Sequence, residues 1–298
     1  MNSRHRSDDT TPDTSSADRA RPGMILAASF LCLVLVAGAL TFAFTRHDHH
    51  GESRGLTTPA PRPSVTTTVT PGTVPGLGVP EADIFGRRVD IPIDPAGVIL
   101  AQRPQLQNKP TDPDWLTAAP AGLCDHRSGR RDCAPGGWQK IHGAVVPMSI
   151  SDGPTRLEHG VAAGYAHTPQ GAALAAAYTV YELAARPGDT GLRKQRVVLT
   201  DADRKQFDAA AAQGRLPAQL GEIYTRWLLA VDAFRVDSYT EDYAVISLAA
   251  RGAPDRDQQS WSAVAVPMVW HDGDWRVRGT GSQLPTRTVR ALAGWTTW

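Results

Sequence analysis

The sequence predicts an α+β fold in which helices pack on one face of a curved antiparallel sheet. Helical patterns come first, around residues 169–186 and 217–231, and residues 234–278 then alternate apolar and polar side chains as half-buried strands do. This outer domain is expected over residues 141–285, followed by a C-terminal tail over residues 286–298. One transmembrane helix and a disordered linker are expected before it.

The charge of the chain is balanced, with 31 basic and 30 acidic residues among 298. A protein that grips nucleic acid broadly needs a basic surface, so no direct binding of nucleic acid is expected. The hydrophobic fraction of 41% is too high for a wholly disordered chain. The composition is therefore that of a chain with at least one folded domain.

Residues 24–44 contain no charged side chain and predict a transmembrane helix. A helix of that length spans about 30 Å, which matches the hydrocarbon core of a bilayer. A cleaved signal peptide is the alternative, because Ala37-Gly38-Ala39 fits the small-residue cleavage pattern. The uncleaved anchor is favoured because the apolar run continues through Phe44.

Residues 1–23 form a polar lead that is expected to be a disordered cytoplasmic tail. The lead contains four arginines and four aspartates. Acidic residues have little influence on topology, so the arginines favour an N-terminus inside the cell. The sequence therefore predicts a single-pass protein of the cell membrane with the bulk of its chain outside the cytoplasm.

The linker, residues 45–80, is rich in proline, threonine and glycine and has no lasting alternation of apolar residues. Such a stretch buries too little apolar surface to fold alone, and its prolines make it a semi-stiff spacer. Residues 81–140 remain rich in proline but contain short apolar patches. We expect them to form an extended segment that leads into the outer domain and includes a loop between Cys124 and Cys133.

Cys124 and Cys133 are separated by eight residues and predict a disulfide, because such a pair outside the cytoplasm is normally oxidised. Closing a loop of this size stabilises a fold by about 2–3 kcal/mol in the chain-entropy model. A zinc site that adds His126 and His142 is the alternative, but this spacing matches no standard finger or ribbon. No metal or other cofactor is therefore expected.

Basic and aromatic residues indicate a candidate interaction surface. The cysteine loop contains Arg127, Arg130 and Arg131, a basic tip that suits an anionic polymer or a partner, with a solvated loop as the alternative. Trp261 and Trp270 are candidates for an aromatic contact surface, although core packing is the alternative interpretation for such residues.

The first predicted helix has Thr168 as its N-cap and Pro169 at its first position, where the missing N–H costs nothing. It ends before Pro187-Gly188. Its interior is mostly alanine, which lets a sheet approach closely. His167 is interpreted as a residue that leads into the helix, in preference to a base or a ligand.

Two further helices are predicted. Thr200 and Asp203 form a start like a capping box, and Gly214 is a suitable stop. Residues 217–231 carry apolar side chains on one helical stripe and predict an amphipathic helix.

One strand is predicted before these helices and four after them, where short connections favour an antiparallel meander. Asp272-Gly273 is a strong hairpin signal between the last two. The predicted strands cover residues 144–148, 234–238, 243–249, 261–270 and 275–278.

The last hairpin reads Val269-Trp270-His271-Asp272-Gly273-Asp274-Trp275-Arg276-Val277. Together with the long first helix and the late meander, it resembles the nuclear transport factor 2-like (cystatin-like) fold, a cone of helices on a curved sheet, over roughly residues 145–280. An enzyme of this fold would have a buried carboxylate and a tyrosine at the mouth of the cone. The available residues are Asp232, Asp237, Tyr178, Tyr181 and Tyr243.

The stretch Gly164-Tyr165-Ala166-His167-Thr168-Pro169-Gln170-Gly171-Ala172-Ala173 is similar to a group of uncharacterised single-pass actinobacterial membrane proteins associated with integrative and conjugative elements. An anchor, a spacer and a cone-shaped outer domain also resemble the assembly factors of type IV secretion and conjugation. The Gram-positive version usually carries two outer domains, whereas this chain has room for one. The resemblance implies a component of an envelope complex.

The sequence contains no nucleophile elbow, no zinc-protease histidine pair and no phosphate-binding glycine loop, so no catalytic residue and no enzyme activity are expected. We expect a membrane-anchored extracytoplasmic scaffold that assembles with other envelope or conjugation-complex proteins, or with copies of itself. A small-ligand-binding or isomerase- or cyclase-type domain is one alternative, and binding of cell-wall polymer is another.

Overall fold

A computed structural model of the chain describes residues 74–123, 135–252, 259–280 and 284–298. The predicted transmembrane helix, residues 24–44, lies outside this part of the chain. Within the described ranges, no helix combines the length and the apolar character that crossing a bilayer requires.

The described chain contains thirteen strands and four α-helices. The strands are β1 (Glu81–Ala82), β2 (Arg88–Val89), β3 (Trp138–Ile141), β4 (Ala144–Pro147), β5 (Arg156–Glu158), β6 (Val161–Ala163), β7 (Val197–Val198), β8 (Ala233–Tyr239), β9 (Tyr243–Arg251), β10 (Trp261–His271), β11 (Asp274–Arg278), β12 (Thr286–Val289) and β13 (Thr296–Thr297). The helices are α1 (Pro169–Ala185), α2 (Thr190–Arg196), α3 (Asp201–Ala212) and α4 (Glu222–Thr225).

Seven strands form one mixed sheet, in the order β13-β8-β9-β10-β11-β7, with β12 paired to the first part of β10. The pairing of β7 with β11 is parallel, and the other pairings are antiparallel. Three separate hairpins, β1-β2, β3-β4 and β5-β6, precede this main sheet in the chain. The meander expected from the alternation after residue 233 is present as β8 to β11.

The predicted fold class is wrong. The regular structure of the described chain is richer in strand than in helix, its large sheet is mixed, and α1 is the longest helix in the described ranges, so the fold is not a nuclear transport factor 2-like cone. Such a cone needs an open concave face. Here one face of the sheet packs on α1, whereas Ala233 and Ala249 on the other face pack with Leu292 and Trp295 of the C-terminal segment. The C-terminal segment therefore covers part of the second face as well.

The helix predicted over residues 217–231 is also wrong, because only the four residues of α4 are helical there. The neighbouring backbone groups bond to other segments: the Leu220 N–H donates to the Ala185 carbonyl at 2.7 Å, and the Leu228 carbonyl accepts from the Val145 N–H at 2.8 Å. Ile223, expected on the buried stripe, is 64% exposed. Tertiary pairing has overridden the helical periodicity.

The α1 helix forms the centre of the core. Its cap is the one expected from the sequence, with the Thr168 hydroxyl accepting from the Gly171 N–H at 2.9 Å. Seven of its residues are alanines, and all seven are buried. Small side chains let β4, β8, β9 and β11 approach the helix closely, so the strands around it share one hydrophobic core.

The segment around β1 and β2 is fixed to the main sheet by charged side chains. Arg87 is 5% exposed, and its guanidinium lies 2.6 Å from Asp83 and 2.6 Å from Asp232. It also donates to the Ala230 carbonyl at 3.0 Å. An arginine buried in this way needs every such partner, because an unpaired buried charge is costly.

Candidate functional site

Two turns meet at one end of the main sheet. Thr240-Glu241-Asp242 connects β8 to β9, and Asp272-Gly273 connects β10 to β11. The Trp270 N–H donates to the Asp242 carbonyl at 2.9 Å and joins the two turns. Because consecutive antiparallel strands reverse at the same edge, the side chains that flank these turns come together.

Aromatic side chains collect at this end. The His167 imidazole stacks on the Trp270 indole with ring centroids 3.9 Å apart and planes 10° from parallel. Beneath them lies Trp275, which is fully buried, with its ring 5.4 Å from Trp270 and 5.6 Å from His167. Trp270 is half-buried and His167 is exposed, so the stack reaches the surface.

Tyr239 and Trp115 extend the same surface. Their rings meet edge to face at 6.0 Å, and the Tyr239 hydroxyl donates to the His167 carbonyl at 3.2 Å. Burial, with a smaller contribution from Glu241, raises the pKa of Tyr239 to about 12. An imidazole nitrogen of His167 bonds to the Glu241 carbonyl. We call the surface of Trp115, His167, Tyr239 and Trp270 the aromatic end.

The backbone on both sides of His167 is held firmly. The Ala166 carbonyl accepts from Trp275 Nε1 at 3.0 Å, and the Ala166 N–H donates to the Asp152 carbonyl at 3.0 Å. On the other side, the Thr168 hydroxyl donates to the Asp152 carboxylate at 2.7 Å. Burial raises the pKa of Asp152, and its hydrogen bonds with Ser151 and Thr168 oppose that shift. His167 is therefore a preorganised surface residue.

A buried ion pair supports this arrangement from below. Asp274 Oδ2 lies 2.7 Å from Arg196 Nη1, and the aspartate also accepts from the backbone N–H groups of Gly164 at 2.9 Å and Tyr165 at 3.1 Å. Arg196 in turn donates to the Trp275 carbonyl at 2.6 Å. These bonds connect α2, β11 and the segment that leads to His167.

A second buried charge cluster ties the β3–β4 turn to α1. Glu182 is completely buried, and its Oε2 lies 3.0 Å from His142 Nδ1 and accepts from Arg186 Nε at 3.0 Å. Arg186 continues to Asp189 at 2.7 Å. Burial and the nearby Glu182 raise the pKa of Tyr178. The Glu182 carboxylate thus contacts two basic side chains, His142 and Arg186, and these contacts hold the β3–β4 turn against α1.

The structure separates the residues that the sequence indicated as a surface. Trp270 belongs to the aromatic end, whereas Trp261 is 5% exposed and donates from Nε1 to Asp232 at 2.6 Å. The predicted disulfide and the predicted basic tip stay predictions, because their residues lie outside the described ranges: Cys124, Cys133, Arg127, Arg130 and Arg131.

The two aspartates considered for an enzyme of the cone fold form ion pairs with arginines. Asp232 binds Arg87 at 2.6 Å and Arg251 at 2.8 Å, and Asp237 binds Arg235 at 2.6 Å. Within the described ranges, no group of three or more His, Cys, Asp or Glu side chains is placed to hold a metal ion.

Sequence reasoning missed three members of the aromatic end: Trp115, His167 and Tyr239. A signal for Tyr239 was available, because it stands immediately before the β8–β9 turn as Trp270 stands near the β10–β11 turn. In a meander, aromatic residues before alternate turns share one end of the sheet. Trp115 and His167 have no comparable signal, because they arrive from loops.

Comparison with known proteins finds one family match. A family described as "Domain of unknown function (DUF8175)" matches residues 90–297, a range that contains every residue of the aromatic end. No curated protein and no solved structure matches the chain.

Proposed function

The chain belongs to the DUF8175 family, and we propose that it is a membrane-tethered extracytoplasmic assembly protein that binds a partner protein through the aromatic end. The observation that carries the proposal is the exposed His167 imidazole stacked on Trp270. Half-buried aromatic side chains on a firm support are the usual centres of protein–protein interfaces.

Preorganisation strengthens this interpretation. The segment around His167 is bonded to Asp152 on both sides of the histidine and supported by the Asp274–Arg196 pair below. Binding therefore costs little ordering of the surface, and the contact energy is retained as affinity. A rigid aromatic surface of this kind suits a lasting assembly contact.

The location and the pathway rest on the sequence. The absence of charge in residues 24–44 supports an anchor, the composition of residues 45–80 supports a spacer, and the arginines before the anchor support a folded part outside the cytoplasm. A role in a conjugation or type IV secretion-like envelope complex is supported by the similarity of residues 164–173 to membrane proteins of integrative and conjugative elements. This stretch includes His167 and the start of α1.

Crosslinking in intact membranes, followed by affinity purification of the full chain, tests the proposal. The wild type is compared with Trp270→Ala and His167→Asn, and His159→Asn is the matched control, since His159 is also exposed but lies in the β5–β6 turn. We expect one defined protein to crosslink to the wild type and to the control but not to either site variant. The same protein, once purified, should bind the purified wild type.

Two outcomes would overturn the proposal. Either the crosslinked proteins are the same in all four forms, or no protein is crosslinked and purified peptidoglycan is retained by the wild type but not by His167→Asn. The second result would assign the aromatic end to cell-wall polymer. Thermal unfolding of each variant separates loss of binding from loss of fold.

A further inference from the structure

The rim of the aromatic end is acidic. Glu241 and Asp242 occupy the β8–β9 turn, and Asp272 occupies the β10–β11 turn with 66% of its side chain exposed. Asp112 and Asp114 lie within three residues of Trp115 in the chain. Residues 81–298 contain 24 basic and 24 acidic residues, so this excess of carboxylates at one end is a local asymmetry.

Few cations offset these carboxylates. Asp272 pairs with Arg276 at 3.0 Å and lies 3.4 Å from His271. Within the described ranges, neither Glu241 nor Asp242 forms an ion pair with a lysine, arginine or histidine. The Glu241 backbone carbonyl bonds to the His167 imidazole, so Glu241 adjoins the aromatic rings, in agreement with its contribution to the raised pKa of Tyr239. The basic Lys109 lies near Asp112 along the chain, where the backbone N–H of Lys109 donates to Asp112 at 2.7 Å.

We infer that the aromatic end recognises a lysine- or arginine-bearing segment of its partner, an inference that rests on the proposed function. The faces of indole and phenol rings are electronegative and attract cations, Trp most strongly. Carboxylates at the rim add charge-assisted hydrogen bonds to a guanidinium or an ammonium group. An anionic polymer would meet repulsion from the same rim.

The same geometry distinguishes arginine from a neutral polar residue. Because His167 covers one face of Trp270, a guanidinium can lie flat on the outer face of the exposed imidazole while its N–H groups reach toward the carboxylates of the adjoining turns. Glutamine offers neither the charge nor the full set of donors. Charge should therefore control both the affinity and its dependence on salt.

The test is a titration of the full-length protein, held in detergent, with a peptide of alternating glycine and arginine, followed by tryptophan fluorescence. The comparison peptide has glutamine in place of arginine. The site variant is Glu241→Gln with Asp242→Asn. Asp208→Asn is the matched control, because Asp208 is an exposed acid on α3, away from the aromatic end. The aromatic end lies at the start of β11, whereas α3 begins beside Gly279, which follows the last residue of β11.

We expect the arginine peptide to bind the wild type and the Asp208→Asn control equally, and to bind the double variant about tenfold more weakly. Binding should also weaken as salt is raised. Equal affinity of the two peptides, or equal affinity of the wild type and the double variant, would overturn the inference.

The two proposals fail separately. If Trp270→Ala abolishes the crosslinked partner but the arginine peptide does not bind, the inference of a cationic segment is wrong and the assembly function stands. If the peptide binds in an acid-dependent way while all variants keep the same crosslinked proteins, the cation site stands and the assembly function is wrong. All variants are first compared by circular dichroism to establish that they are folded.

Discussion

Asp274 and Arg196 form a buried ion pair, with 2.7 Å between Oδ2 and Nη1 and side chains that are 6% and 1% exposed. The pair does more than neutralise charge, because the same carboxylate accepts backbone N–H groups of Gly164, Tyr165 and Trp275. The geometry of the aromatic end thus depends on one aspartate at the start of β11.

Asp274→Asn should lower the free energy of unfolding by about 3 kcal/mol, because it leaves Arg196 charged and buried without its anion. Chemical denaturation of the folded part gives this number. Asp272→Asn, two residues earlier in the same turn and 66% exposed, is the control and should change the free energy by less than about 0.5 kcal/mol. Equal effects in the two variants would show that the buried pair does not support the fold.

Ultraviolet absorbance during alkaline titration should reveal a tyrosine with a pKa of about 12, and Tyr239→Phe should remove that component. Glu241→Gln should lower the pKa of Tyr239, because a neutral neighbour no longer disfavours the phenolate. Burial is the larger cause, so the pKa should stay above the ordinary value of 10.0. If the pKa of Tyr239 were the same in Glu241→Gln as in the wild type, the Glu241 carboxylate would not lie close to the Tyr239 ring.

The contribution of Asp152 to the stability of the fold should fall as pH rises. Burial raises the pKa of its carboxyl above 3.8, so the native state holds the proton more tightly than the unfolded state does. The resulting stabilisation is complete below pH 3.8 and is lost as pH passes through the raised native pKa. The free energy of unfolding, measured from acid to neutral pH, should show this decline in the wild type, and the contribution of Asp152 to it should be absent in Asp152→Asn. Parallel pH profiles for the two proteins would contradict the assignment.

Gly143→Ala should be strongly destabilising. Gly143 has a φ of +90°, and a Cβ placed there would collide with Thr225 Oγ1, an atom on a buried side chain. The left-handed backbone alone costs an alanine about 1–2 kcal/mol, and the collision adds to that cost. Gly214→Ala isolates the backbone effect, because Gly214 has a φ of +64° with nothing within 4 Å of the added atom. Melting temperatures of the two variants give the difference; equal losses would exclude the collision.

The sequence predicted the elements whose ends are set by neighbouring residues: two helix starts, one helix end and one hairpin turn. The Thr168 cap and the breaker after Arg186 bound α1 over Pro169–Ala185, and the reciprocal Thr200–Asp203 bonds start α3 as a capping box. The Asp272-Gly273 turn closes the β10–β11 hairpin. Each of these signals acts within a few residues, so a single sequence contains all the information needed to read it.

Non-local pairing could not be predicted in the same way. The parallel contact of β7 with β11 joins Val197 to Val277 across two intervening helices and three strands, and no pattern in either two-residue piece specifies it. The aromatic end is equally non-local. Trp115 and His167 come from loops whose positions are set by Asp152, Asp274 and the backbone bonds around them, so sequence spacing gives no indication that they meet.

The attachment of Arg87 to Asp232 has a mechanical meaning if the chain is tethered through its N-terminal side. A pull transmitted to residue 74 would first reach the backbone bonds from Ile93 to Gly76 at 2.8 Å and from Gly78 to Ile91 at 2.7 Å, and then the Arg87–Asp232 contact at 2.6 Å. Neither β1 nor β2 belongs to the main sheet. Such a pull would therefore load the contacts of the β1–β2 hairpin before it loads those of the main sheet.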